Sequence, residues 1–136
     1  MLTNRSMPAS TVIPTLAYDD VVAAARWLEA AFGLSVRLSI GDHRIQMNVG
    51  DGAVVLVRRR EGDASSTSLM VRIADVDAHR AQAVAAGARV SEAQSFPYGE
   101  RQYSAIDCGG HAWSFSQSIA DVAPESWGGV SGKLSG

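Results

Sequence analysis

Two stretches of this chain of 136 residues repeat one plan. Residues 19–36 (DDVVAAARWLEAAFGLSV) lead into residues 43–57 (HRIQMNVGDGAVVLV). Residues 74–90 (ADVDAHRAQAVAAGARV) lead into residues 101–117 (RQYSAIDCGGHAWSFSQ). Each copy reads as a short strand, an acidic helix start, an alanine-rich helix, a glycine stop, a strand and a hairpin closed by Gly and Asp. An internal repeat constrains architecture before any single residue is interpreted, because a unit that cannot bury its apolar face alone must pack against its copy. Two tandem βαβββ modules predict an α+β fold with a pseudo-symmetric, curved mixed sheet. One face of that sheet lies under the helices. The other is left as a concave cup that draws residues from both copies.

The organisation follows from local signals. Residues 1–11 are expected to be a flexible arm, 12–118 one domain made of modules 12–60 and 68–118, and 119–136 a tail whose end, VSGKLSG, is expected to be disordered. Asp19 or Asp20 can cap the first helix and Asp75 the second, since a carboxylate oxygen accepts an otherwise unpaired N–H of the first turn. Val21, Ala24, Ala25, Leu28 and Phe32 recur at helical spacing and form one apolar face, and Gly33 ends that helix. Residues 35–40 and 43–49 alternate as half-buried strands, whereas residues 53–57 (AVVLV) are apolar throughout and read as a strand buried on both faces. The polar stretch 61–67 (EGDASST) separates the modules.

Several function classes are excluded or disfavoured. No apolar run approaches the roughly 20 residues that span a bilayer, so no membrane association is expected. The first residues lack the apolar core of a secretory signal, and the reading is a cytoplasmic protein. A single cysteine, Cys108, rules out an internal disulfide framework. A net charge of −2 argues against a nucleic-acid partner, which selects a basic face; the run Arg58-Arg59-Arg60 reads as a solvated strand edge. No nucleophile elbow, phosphate loop or dinucleotide fingerprint is present. His79 reads as a solvated histidine on the outer side of the second helix. His43 and His111 each open a strand, and Cys108 lies in a Gly-rich turn without a neighbouring base.

The segments YDD…ARWLEAAFGL and ADVDAHRAQAVAAGARV, with PYGER at 97–101 and DCGGHAWSF at 107–115, resemble the vicinal oxygen chelate superfamily. That superfamily includes glyoxalase I, extradiol dioxygenases, fosfomycin-resistance enzymes and bleomycin-resistance proteins. The resemblance covers residues 12–127, and Cys108 stands where the family's last motif usually carries proline. In the family's metalloenzymes four side chains, usually His and Glu, line the cup and hold one divalent metal. The corresponding positions here fall on Ile13 (or Pro14), Leu56, Ser68 and Ser114. Aliphatic groups have no lone pair, and neutral hydroxyls are poor ligands without carboxylate or imidazole companions. No metal or other cofactor is therefore expected.

The same positions imply which residues face the cup. Thr15 shares the parity of Ile13, and Met70 and Arg72 that of Ser68. If Ile45, Met47 and Val49 face the helix, then Arg44 and Gln46 face the cup, with Arg37 beside them; Leu56 and Ser114 complete the floor. Tyr98, Arg101 and Tyr103 are placed at its rim and Trp113 under the second helix, and His43, which opens a strand, is counted among the ligand-binding residues. These residues describe a site for a bulky, aromatic or amphiphilic small molecule. The resemblance to the bleomycin-resistance branch implies a homodimer that sequesters a natural product or antibiotic without turning it over. The alternative is a glyoxalase-like lyase or isomerase using acid–base chemistry without the usual metal, with His43, Tyr98 or Tyr103 as acid or base.

Overall fold

The two helices begin where the capping carboxylates predict. In the computed structural model, which describes residues 2–63 and 67–132, the Asp20 side chain accepts from the Ala23 N–H at 3.0 Å and opens α1 (Val21–Phe32). Asp75 accepts from the Ala78 N–H at 3.1 Å and opens α2 (Val76–Ala85). Around them lie β1 (Thr15–Tyr18), β2 (Ser35–Ile40), β3 (Arg44–Val49) and β4 (Gly52–Arg58) in the first module. The second module has β5 (Ser68–Arg72), β6 (Arg89–Val90), β7 (Gln94–Ser95), β8 (Glu100–Ile106) and β9 (Ala112–Ser118), followed by a 3-10 turn, Pro124–Trp127. The predicted α+β architecture of two βαβββ modules is therefore present. Each module builds its own mixed sheet, ordered β1-β4-β3-β2 and β5-β9-β8-β6, with β7 added to β8. Residues 64–66 of the linker, and 133–136 of the tail expected to be disordered, lie outside the described residues.

The helix-covered faces of both sheets meet in one core. Leu16, Leu28, Phe32, Met47 and Leu56 of the first module pack with Val76, Tyr103, Trp113 and Phe115 of the second. Phe32 sits at the centre, with ring centroids 5.3 Å from Trp113 and 4.8 Å from Phe115. β4, between β1 and β3, is buried from Ala53 to Leu56, as its uninterrupted apolar run predicts.

A polar clasp joins the modules. Asp107 is buried; its carboxylate accepts from the Tyr18 hydroxyl at 2.5 Å, the Trp113 indole N–H at 3.0 Å, and the backbone N–H groups of Gly109 and His111, each at 2.9 Å. His111 donates through Nε2 to the Ala17 carbonyl at 2.8 Å, and among the described residues its Nδ1 has no partner. Burial and the adjacent Asp107 carboxylate push the Tyr18 phenol far above its ordinary range. The turn passes so close to Tyr18 that a Cβ on Gly109 would lie 2.5 Å from the ring, which explains a glycine there.

Three expectations are corrected by this packing. Arg59 is not a solvated edge residue: it is half-buried and donates to the Ala17 and Gly109 carbonyls, bridging the modules. His79 is not on the outer face of α2. It stacks near Phe32 and Phe115, its Nε2–H donates to the Phe32 carbonyl at 3.0 Å, and its Nδ1 accepts from the Tyr103 hydroxyl at 2.5 Å. Tyr103 is therefore core and not rim, being 1% exposed and paired across the hairpin with Phe115.

Candidate functional site

Strand register decides which side chains share the helix-free face of the second sheet. Met70 lies opposite Ser114, Arg72 opposite Ser116, and Ser116 in turn opposite Gln102 on β8. Because residues paired across strands stand on one face, Ser68, Met70, Arg72, Ser114, Ser116, Gln102 and Glu100 line the open side. Their partners in sequence, Leu69, Trp113, Phe115 and Tyr103, line the core. A cleft of about 690 Å³ opens on this face, bounded by Met70, Arg72, Tyr98, Glu100, Gln102, Ser116 and Trp127. Met70 is 68% exposed, unusual for a side chain of its size and apolarity.

The cleft has a polar floor and an aromatic wall. Along the floor the Tyr98 hydroxyl donates to Gln102 Oε1 (3.4 Å), the Gln102 amide to Ser116 Oγ (3.0 Å), and the Ser116 hydroxyl to Glu100 Oε1 (2.7 Å). Every donor in the chain points towards Glu100, so the carboxylate is its sink. The Ser118 and Ser116 hydroxyls, with the nearby Arg72 charge, hold Glu100 below the usual carboxylate range. The wall stacks Phe96 on Tyr98 (5.3 Å between centroids) and tilts Trp127 against Tyr98 (5.4 Å).

Trp127 reaches the cleft because the chain turns back after β9. The Ile119 and Ala120 N–H groups donate to the Gly99 carbonyl at 2.8 and 3.2 Å. Gly99 has φ of +84°, and a Cβ there would sit 2.3 Å from the Ala120 carbonyl oxygen. No side chain fits that crossing. A smaller cavity of about 280 Å³ lies between the modules, lined by Val12, Pro14 and residues 49–54 of one and by residues 69–72 and Trp113 of the other. Met70 and Arg72 border both spaces.

The helix-free face of the first sheet is closed by the N-terminal arm. Gln46 lies on that face opposite Val55, and only 2% of it is exposed. Its amide donates to the Ser6 carbonyl at 2.8 Å, and Arg37 donates to Gln46 and to the carbonyls of Arg5 (2.9 Å) and Met7 (3.0 Å). Residues 5–7 are thus bound, against the expectation of a flexible arm. Arg37 reaches them from a bulge: β2 slips register between Val36 and Leu38, so the alternation read from the sequence does not run through the strand.

The predicted site residues divide accordingly. Ser68, Met70, Arg72 and Ser114 share the open face of the second sheet, with Tyr98 at the cleft's edge. Thr15 and Arg44 lie on the helix-free face of the first sheet, and Arg37 and Gln46 lie there under the arm. Leu56 is misplaced by one residue: it pairs with Ile45 and Leu16 in the core, and Val55 and Val57 take the open side. Arg101 does not rim the cleft but pairs with Asp77 of α2 at 3.0 Å, on the helix side. His43 is an exposed turn residue beside Gly41 and lines neither of the two spaces described above. Glu100 and Gln102 were missed as binding residues. Their signal was parity with Ser114, carried across the hairpin to β8.

Acid–base and metal chemistry can be judged on these placements. Of the three acid–base candidates only Tyr98 reaches the cleft; Tyr103 is buried, and burial raises its phenol well above the ordinary value. The superfamily's metal does not fit the corresponding side chains: Ile13 or Pro14, the valines flanking the core-facing Leu56, Ser68 and Ser114 offer no carboxylate or imidazole. Among the described residues no group of three His, Cys, Asp or Glu side chains is assembled to hold an ion. Nor is any helix long and apolar enough to cross a membrane.

No protein-family model and no curated protein matches the chain by sequence. Solved structures do. TioX from Micromonospora sp. ML1 is 31% identical, with a TM-score of 0.70 over 84% of this chain and 100% of that one. A bleomycin resistance determinant encoded on the transposon Tn5 shares 17% identity (TM-score 0.68, 82% and 100% covered). A bleomycin-binding protein from Streptomyces verticillus, solved with copper(II)-bleomycin, shares 19% (TM-score 0.63, 85% and 97% covered).

Proposed function

The chain belongs to the glyoxalase/bleomycin-resistance family of the vicinal oxygen chelate fold, and from that premise we propose that it binds and sequesters a bulky, partly aromatic natural product. The observation that carries this reading is the cleft on the second sheet. Its volume of about 690 Å³ suits a drug-sized molecule. Tyr98, Trp127 and Met70 offer apolar and aromatic area, and stacking on such rings contributes about 0.5–1.5 kcal/mol beyond area burial. The floor supplies orientation. Glu100 accepts and Arg72 donates, so the site suits a guest with a donor group and an acceptor group on one planar frame, and it carries no net charge to select a strong cation.

Binding without a metal follows from the side chains at the metal-equivalent places, which hold no ionisable ligand set. The cleft is open on one side, and a homodimer would cover it with a second copy, enclosing the guest. The biological use would be resistance to an antibiotic, or self-resistance in a cytoplasm that makes one.

The test is a thermal-shift screen of planar aromatic natural products, followed by titration of any compound that shifts the melt. A true ligand present at 100 times its dissociation constant stabilises by about 2.7 kcal/mol. Its affinity should fall at least tenfold in Trp127→Ala and stay unchanged after dialysis against a chelator. Turnover of a small electrophile with no shift from any planar compound would refute sequestration.

A further inference from the structure

We propose that the helix-free face of the first sheet is a second binding site, one that reads the carbonyl oxygens of a peptide-like segment in a turn, and that the chain's own N-terminal arm, whose Met7 N–H closes such a turn on the Asn4 carbonyl at 3.2 Å, gates it in cis. The proposal goes beyond the cleft of the second sheet and shares no residue with it. Its basis is how the arm is held. Arg37 and Gln46 touch the arm only through main-chain oxygens: those of Arg5 and Met7 accept from the guanidinium, and that of Ser6 from the amide. Three consecutive carbonyls are recognised and no arm side chain hydrogen-bonds to Arg37 or Gln46, so the polar contacts select amide backbone, while the buried Pro8 beside them adds apolar contact.

The face is also built for burial. Gln46 is 2% exposed although it lies on the helix-free side, and it is fixed from the other direction by Arg37. The β2 bulge brings Arg37 into reach. Without the arm, a buried amide and a half-buried guanidinium would lose these partners, which is costly for such groups. A ligand presenting consecutive amides would satisfy them equally well. The arm, tethered a few residues from β1, competes at the high effective concentration of an intramolecular partner.

The experiment uses a labelled peptide of residues 2–10 and a chain lacking residues 1–9, with fluorescence anisotropy as the readout. The truncated chain should bind the peptide, and Arg37→Ala in that background should weaken binding at least tenfold. The full chain should bind it at least tenfold more weakly, because its own arm occupies the face. A truncated chain that melts cooperatively yet binds no peptide overturns the proposal, as does binding indifferent to Arg37. Should the truncated chain not fold, trypsin cleavage after Arg5 in the full-length protein decides. The bond it cuts carries the carbonyl held by Arg37, so Arg37→Ala should speed cleavage about tenfold, and equal rates refute the gate. Sedimentation of the full chain separates the two sources of the arm: a dimer lost on truncation would assign it to a second copy and overturn gating in cis.

Discussion

Replacing Asp107 with alanine should be among the most damaging single changes outside the aromatic core. The carboxylate serves four donors, and three of them belong to buried residues: the Tyr18 hydroxyl, the Trp113 indole N–H and the His111 backbone N–H. Leaving a buried donor unpaired costs about 1–3 kcal/mol each. Relief from burying a carboxylate offsets part of that sum, because its desolvation is itself worth several kcal/mol. A net loss of about 4 kcal/mol remains, a large share of a stability on the order of 5–15 kcal/mol. Urea unfolding followed by tryptophan fluorescence measures it; with a slope of about 2 kcal/mol per molar, the midpoint should fall by about 2 M. Asp107→Asn keeps the acceptor for the turn but points an amide at two donors, and should lose about half as much. Tyr18→Phe removes one charge-assisted bond and should cost about 1.5–3 kcal/mol. A drop below about 0.5 M for Asp107→Ala, or a larger loss for Tyr18→Phe than for Asp107→Ala, would refute the account of the clasp.

Three further outcomes are expected. Burial holds His79 below its ordinary pKa, so the unfolded chain takes up a proton below about pH 6.5 that the folded chain resists; stability is full above that pH and falls as it drops. His79→Gln should flatten the slope of unfolding free energy between pH 7 and 5.5, and an unchanged slope would clear this residue. Gly99→Ala, forced against the Ala120 carbonyl, should detach the segment after β9 and speed proteolysis within residues 120–130, while the melt of the remaining domain moves by only a few degrees; unchanged proteolysis would show the crossing to be slack. Partial desolvation in the turn and the neighbouring Asp107 carboxylate push the thiol of Cys108, an exposed residue, up to about 11, so alkylation at pH 7.5 should run at least about tenfold slower than for free cysteine, and a rate equal to free cysteine would contradict it.

What could be read from the sequence was what local chemistry decides. Asp20 and Asp75 cap, and Val21, Ala24, Ala25, Leu28 and Phe32 face inward, because caps and helical faces are set within a few residues. The open face of the second sheet was legible because the alternation at Ser68, Met70 and Arg72 is unbroken. In β4 the apolar run 53–57 has no alternation, so nothing in it fixes phase, and Leu56 was assigned to the wrong side. The bulge at Arg37 left no mark in a strand that alternates on paper. Position 79 did leave one: Val76, His79 and Ala83 stand at helical spacing, and the first and last are the buried residues of α2. Reading histidine as polar hid the pattern. The arm's attachment lay beyond reach because it depends on side chains 30 to 40 residues away and engages only backbone.

The shared core has a consequence for how this duplication can be cut and rejoined. Asp107, Arg59 and Phe32 tie one repeat to the other through space. A nick between Arg60 and Thr67 should therefore leave two fragments that reassemble, and new chain ends could be opened there by joining the old ones.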